Sequence, residues 1–156
     1  MSANLHRWPV RVYYEDTDAG GVVYYANYLK FAERGRTEAL RTAGIEHEKM
    51  RRDSGHGLVV RRVTADFLLP ARLDDELVVL TRVARVAGAS LDLVQEICRG
   101  ETVLARLSVL VVCLGAAGRP ARLPENLATA LMGLSDASQT PHNSPITSKM
   151  VKTHAR

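Results

Sequence analysis

Two periodicities divide the chain. Over residues 25–43, Tyr28, Ala32, Gly35, Ala39 and Ala43 recur at helical spacing, flanked by Leu29, Phe31 and Leu40, while Lys30, Glu33, Arg34, Glu38 and Arg41 fill the other side. Apolar residues every three to four positions make a stripe that a helix buries, so this stretch predicts one amphipathic helix. Gly44 predicts its end, because a residue without Cβ takes the left-handed conformation that commonly terminates helices. Ahead of the helix, residues 8–15 are rich in β-branched and aromatic side chains and stop at the turn formers of 16–21, DTDAGG, which reads as a strand running into a loop.

After a polar stretch through His56, the period changes to two. Extended segments are predicted over 58–69, 76–87, 90–99 and 101–114, with no second long helix between them. Their expected core faces are Val59, Val63, Ala65 and Phe67; then Leu77, Val79 and Val83; then Leu91, Leu93 and Ile97; then Val103, Ala105, Leu107, Val109 and Val111. The breaks at 87–89 and 99–101 are short and centred on glycine, so these strands should pair antiparallel as a meander. Pro70 and the corner at 73–75 make a longer break before them. One helix lying on an antiparallel sheet of about five strands is an α+β layer architecture, expected here over residues 1–133. A single helix covers little of such a sheet, and self-association is the ordinary way to bury what remains, so a homo-oligomer is expected.

Composition narrows the function classes. A chain of 156 residues and 46% hydrophobic content can bury a core, and it has room for one domain of ordinary size. The formal charge of +4 splits evenly: residues 135–156 carry Lys149, Lys152 and Arg156 against Asp136, leaving +2 for the rest. So small a balance, with 5% aromatics, argues against a nucleic-acid surface and leaves room for a local patch facing a phosphorylated ligand. Residues 134–156 turn to Ser, Thr, Pro, Asn and Lys and read as a flexible polar tail. The first ten residues lack a secretory pattern and the apolar runs are too short to span a bilayer, so a cytoplasmic location is expected. Cys98 and Cys113 lie in strand-like segments without metal-ligand spacing and read as buried reduced thiols. His6, His47, His56, His142 and His154 fall in termini and loops and read as solvated, which removes Ser-His and Cys-His constellations; no metal site is expected.

The unusual chemistry sits in residues 13–28. That segment holds Tyr13, Tyr14, Tyr24, Tyr25 and Tyr28, the carboxylates Glu15, Asp16 and Asp18, and the pair Gly20-Gly21 directly before the helix. Glycines let the backbone approach a ligand, and the helix start behind them offers unpaired N–H groups at the positive end of the macrodipole. Such donors bind an anion or stabilise the oxyanion formed when a nucleophile attacks a carbonyl. A carboxylate beside them, Asp18 first by position, can act as nucleophile or as general base toward water. By spacing alone, Asp16 and Asp18 read first as turn residues bonding local N–H groups. An Asp-x-Asp loop also resembles that of haloacid-dehalogenase-like phosphatases, but those require alternating strands and helices. A metal reading lacks further ligands at helical or hairpin spacing.

Residues 7–29, RWPVRVYYEDTDAGGVVYYANYL, resemble the signature of hotdog-fold acyl-CoA thioesterases of the 4-hydroxybenzoyl-CoA thioesterase family, and most of all its Tol-Pal-associated members. The likeness continues through ERGRTE (33–38), VVRR (59–62), PARLDD (70–75), GASL (88–91) and GRP (118–120), and so spans roughly residues 7–125. It implies a long helix wrapped by a curved antiparallel sheet, a homodimer or homotetramer, and hydrolysis of acyl-CoA to free acid and CoA. No cofactor is implied, the CoA moiety being part of the substrate. Asp18 matches the family's catalytic aspartate, Tyr14 a residue lining the same site, and Tyr25 the position whose backbone N–H polarises the thioester carbonyl. Tol-Pal-associated members usually carry His where Tyr25 stands, while the hydroxybenzoyl type can carry Tyr, a change that bears on substrate preference. Ser90, in a Gly-x-Ser-Leu segment similar to the family's, ranks first for meeting CoA, with Arg61, Arg62 or Arg82 as candidates for its phosphates. A second expectation of a different class is a non-catalytic acyl-CoA-binding or scaffold protein of the Tol-Pal envelope machinery, in peripheral contact with the inner membrane or the envelope complex. Gly35, where the family more often has Ala, marks close packing.

Overall fold

The computed structural model describes residues 5–133; the tail expected over 134–156, with His142 and His154, lies outside the described residues. In chain order the elements are β1 (His6–Arg11), α1 (Tyr25–Thr42), α2 (His47–Ser54), β2 (Gly57–Phe67), β3 (Glu76–Ala87), β4 (Ser90–Arg99), β5 (Thr102–Leu114) and α3 (Glu125–Met132). The strands form one antiparallel sheet in the order β1-β3-β4-β5-β2. The two glycine-centred breaks are hairpins, as their length requires, and β3, β4 and β5 form the meander. The strand before the Pro70 corner does not join β3: β2 crosses to the far edge beside β5, and β1 takes the opposite edge beside β3. The helix fills the space that this crossover leaves, lying across β1, β3 and β4 as α+β packing requires. No helix among the described residues is long and apolar enough to cross a membrane.

The expected helical stripe is the buried one. Tyr28, Phe31, Ala32, Gly35, Ala39 and Leu40 face the sheet, and the helix ends two residues before Gly44, whose φ of +85° is left-handed. Gly35 lies so close to β3 that a Cβ there would stand 2.4 Å from Val79 Cγ1. The core of Leu77, Val79, Val83, Leu91, Leu93, Ile97, Ala105, Leu107, Val109 and Val111 matches the alternation.

Several expectations need correction. The first strand covers His6–Arg11 rather than 8–15: the Val12 N–H turns away to Asp75 O, and Tyr14–Asp16 coil into a 3₁₀ turn closed by the Asp16 carboxylate on the Tyr13 N–H. His6 is therefore half-buried opposite Thr81 rather than solvated, with its Nδ1 buried and without a hydrogen-bond partner among the described residues; desolvation lowers its pKa, against the nearby Glu38. On β2 the register shifts between Val60 and Arg62, leaving Arg61 as an extra residue, so Val60 takes the face of Val63, Ala65 and Phe67 and Val59 points the other way. Val59 and Val63 are exposed, because β2 is an edge. A second shift, between Ile97 and Cys98, buries Leu104 and leaves Val103 half-buried. A third lies between Val83 and Arg85. Each extra residue increases local twist and curls the sheet around the helix. The helices α2 and α3 escaped the periodicity: α2 is polar apart from a buried Met50, and α3 is eight residues long. Both cysteines are free and buried, and burial pushes both thiol pKa values up.

Candidate active site

The loop between β1 and α1 is a tight, internally bonded structure. Thr17 and Val23 bridge as the base of a small hairpin; beyond them the Asp18 N–H bonds Val22 O at 2.9 Å and the Gly21 N–H bonds Asp18 O at 3.1 Å. Gly21 closes this turn at φ +76°, in the left-handed region that disfavours side chains. Asp18 Oδ1 accepts the N–H groups of Gly20, at 2.8 Å, and Val22, at 3.4 Å. The turn-forming role read from spacing is thus real for Asp18, but it uses one oxygen, and Oδ2 has no protein hydrogen-bond partner among the described residues. Asp16 is consumed entirely by structure: Oδ2 accepts the Tyr13 N–H at 2.8 Å, Oδ1 the Asn27 side-chain amide at 3.1 Å, and its carbonyl the Tyr24 N–H at 3.1 Å.

These bonds tie Asp16, two residues before Asp18, to the start of α1. Tyr24 occupies the N-cap and makes no side-chain cap. Its carbonyl accepts the Asn27 N–H at 2.8 Å, while the Tyr25 and Ala26 N–H groups take no backbone partner among the described residues. The helix therefore presents two unpaired donors with the positive end of its dipole, one residue beyond a hairpin that carries a half-free carboxylate. The second support is the segment 70–75. Tyr28 is buried, and its hydroxyl accepts the Ala71 N–H at 2.9 Å; Ala71 O accepts the Val23 N–H at 2.9 Å, and Val22 bridges Arg72. Burial pushes the Tyr28 phenol above its ordinary pKa, opposed by the bond to Ala71 and the charge of Arg99. Asp75 accepts the Arg72 N–H and the Arg99 guanidinium, both within 2.9 Å. Burial opposes its ionisation, but those two bonds and the charges of Arg99 and Arg72 outweigh it and hold its pKa below the usual value.

The surface around this entrance is aromatic. The Tyr25 ring meets Phe67, at the end of β2, edge-on with centroids 6.0 Å apart; Tyr28 meets Phe67 at 5.5 Å, and Tyr24 lies 4.8 Å from Tyr25. The hydroxyls of Tyr24 and Tyr25 interact, and this bond raises the Tyr24 pKa. Tyr25 is 59% exposed beside Phe67 at the end of the β2 edge, a large apolar area to leave in water, and Tyr14 in the 3₁₀ turn is 82% exposed.

The other predicted residues lie elsewhere on the chain. Ser90 starts β4 at the opposite end of the sheet from Phe67, and its hydroxyl donates to Ala87 O at 3.0 Å across the hairpin. It shares a row with Val112 and Val59, whereas Phe67 shares one with Ala105 and Ile97. Arg61 and Arg62 are exposed at the middle of the β2 edge, about 17 Å along the strand from Phe67. Arg82 is half-buried on β3 opposite Val94. The structure thus places Asp18 in the hairpin that leads directly into the helix start of Tyr25, and leaves Ser90, Arg61 and Arg62 at a distance along the sheet. Reading the sequence by residue type missed the supporting side chains Asn27, Tyr28 and Asp75, whose partners lie outside their own segment. Their signal was membership of the two motif stretches, 7–29 and 70–75, joined for Tyr28 by its place in the buried helical stripe.

A curled antiparallel sheet around one long helix is the arrangement shared with solved thioesterases. Residues 12–131 match the Thioesterase-like superfamily, and the chain belongs to it. It is 45% identical over 129 residues, 81% of its own length and 96% of the relative's, to the acyl-CoA thioester hydrolase YbgC of Escherichia coli O6:H1. Among solved structures it is similar to a probable thioesterase from Bartonella henselae, with 38% identity, a TM-score of 0.73, and 77% of this chain and 99% of that one covered. It is also similar to a thioesterase from Thermus thermophilus complexed with coenzyme A and Zn, with 29% identity, a TM-score of 0.70, and 82% and 92% covered. The protein is a thioesterase of the hotdog fold, homologous to acyl-CoA thioester hydrolases.

Proposed function

We propose that the protein hydrolyses acyl-CoA thioesters to free acid and CoA at the helix entrance, with Asp18 and the Tyr25 N–H as the reacting pair. The observation that carries this reading is a Tyr25 N–H without a backbone partner among the described residues, at a helix start tied through Asp16 to the loop that carries Asp18. The thioester oxygen accepts the Tyr25 N–H, which stabilises the charge that grows there as the carbonyl carbon becomes tetrahedral. Asp18 either attacks that carbon or takes a proton from the attacking water. The C–S bond then breaks, CoA leaves as the thiol, and one water is consumed overall. The similarity to a thioesterase complexed with coenzyme A supports the substrate class.

The reading includes a homodimer formed through the β2 edge, which a further pairing can extend to a tetramer. A two-fold axis at Arg62, the middle residue of β2, would set Val59 of the partner subunit opposite Ala65. The row of Val59, Val112 and Ser90 would then reach the level of the aromatic entrance from across the interface, and Arg61 and Arg62 would lie near the axis. Ser90, Arg61 and Arg62 would thereby meet the CoA moiety of substrate bound at the other subunit, and Tyr14 would line the closed site.

The experiment is thiol release from a panel of short, branched, aromatic and long-chain acyl-CoAs by the wild-type protein and Asp18→Asn. A positioned carboxylate supplies on the order of 10²–10⁴ in rate, so the variant should lose that factor and keep its fold and its affinity for CoA. Full activity in Asp18→Asn refutes the assignment. No thiol release from any acyl-CoA would favour a binding or scaffold protein instead.

A further inference from the structure

The helix entrance carries an unusual cap. An Asp before a helix ordinarily accepts the N–H groups of the first turn, which here would occupy the donors that a thioester oxygen needs. Asp16 lies at that helix start, since its carbonyl bonds the Tyr24 N–H. Its carboxylate instead takes the side-chain amide of Asn27, at 3.1 Å, and the Tyr13 N–H, at 2.8 Å. Asn27 is 7% exposed, so this amide is not a surface group that could exchange its bond for water at little cost.

Asn27 also acts through its backbone. Its N–H bonds Tyr24 O at 2.8 Å. In a trans peptide the C=O and N–H point in opposite directions, so drawing the Tyr24 carbonyl along the helix aims the Tyr25 N–H outward, past the helix start. One residue thus touches both halves of the proposed site: the peptide that carries the oxyanion donor, and the acid that anchors the loop two residues before Asp18.

We propose that Asn27 is a positioning residue, which by bonding Asp16 and Tyr24 together sets the Asp18 carboxylate at its working distance from the Tyr25 N–H. This inference rests on the assignment of Asp18 and Tyr25 above. Asn27 acts indirectly, through Asp16 and the peptide between Tyr24 and Tyr25. It supplies the donor that satisfies the Asp16 carboxylate, and so keeps that charge off the Tyr25 and Ala26 N–H groups.

The test is a kinetic cycle with an acyl-CoA that the wild-type protein turns over, comparing Asn27→Ala, Asp18→Asn and the double variant. A misplacement of about 1 Å can cost on the order of 10²-fold, so kcat in Asn27→Ala should fall about 10–100-fold while KM and the inhibition constant of CoA move less than about threefold. Because Asn27 works through Asp18, the double variant should be no slower than Asp18→Asn alone. A merely structural role predicts independent losses that multiply, or a KM that rises as kcat falls, and either result overturns the inference. Wild-type kcat in Asn27→Ala overturns it as well. If Asn27→Ala does not fold, Asn27→Ser keeps a short donor, and Asp16→Asn removes the charge while keeping an acceptor; the same split is required of both. Full activity in Asp18→Asn would instead remove the underlying assignment, so the two failures are distinguishable.

Discussion

Replacing Gly35 by alanine sets two known effects against each other at one atom. In an exposed helix the change is favourable by about 1 kcal/mol, because glycine spends more backbone entropy on becoming helical. Here the new methyl would stand 2.4 Å from Val79 Cγ1 and 2.9 Å from Val79 Cβ. Val79 is fully buried, stiff at χ1 because it is β-branched, and held on a strand paired on both sides, opposite Trp8 and Ile97. It has no room to swing aside, so the helix must lift from the sheet, and overpacking of this kind costs about 1–3 kcal/mol or more. The packing term wins, and Gly35→Ala should be destabilising by about 1–2 kcal/mol, a fall in Tm of about 4–8 °C. Thermal and urea unfolding at fixed protomer concentration, which removes the effect of association, would measure it. The cycle with Val79→Ala locates the cause: the double variant should be more stable than the sum of the two singles by about 1 kcal/mol or more. A stabilised Gly35→Ala, or strict additivity with Val79→Ala, would show that the close approach of helix and strand is wrong.

Other perturbations probe the supports of the site. Tyr28→Phe removes the acceptor of the Ala71 N–H, and a buried donor left unpaired should cost about 1–3 kcal/mol in urea unfolding; an unchanged midpoint would mean that this bond is not formed. The Asp75 pKa is lowered in the folded state, so its contribution is complete above the unfolded value and is lost as pH falls through and below it. The stability gap between wild type and Asp75→Asn should therefore be widest near neutral pH and shrink below about pH 4, and a gap constant from pH 7 to 3 would contradict that sign. Val63→Glu places a charge on the exposed β2 edge and should halve the mass seen by light scattering, with turnover falling by about two orders of magnitude as the shared site is lost. A fully active monomer would refute the shared site.

Much of the architecture was written in local pattern. Tyr28, Ala32, Gly35 and Ala39 defined the buried face of α1, and alternation with glycine breaks defined β3, β4 and β5, because both signals depend only on neighbours a few residues away. The turn-forming role of Asp18 was legible for the same reason, since the carboxylate, the turn and the helix start are contiguous in the chain, whereas the catalytic roles proposed for Asp18 and Tyr25 came from the family resemblance. The edge position of β2, the extra residue at Arg61 that reverses Val59, and the early end of β1 at Arg11 were not legible. Each depends on which partner strand is adjacent and where its ladder stops. The same holds for Asp16, Asn27, Tyr28 and Asp75, ordinary residues in sequence whose roles come from bonds to Tyr13, Tyr24, Ala71 and Arg99. Periodicity is set by the geometry of a single segment and can be read from it, whereas strand order, register and side-chain pairing are settled by competition among segments distant in sequence, and only the folded chain records the outcome.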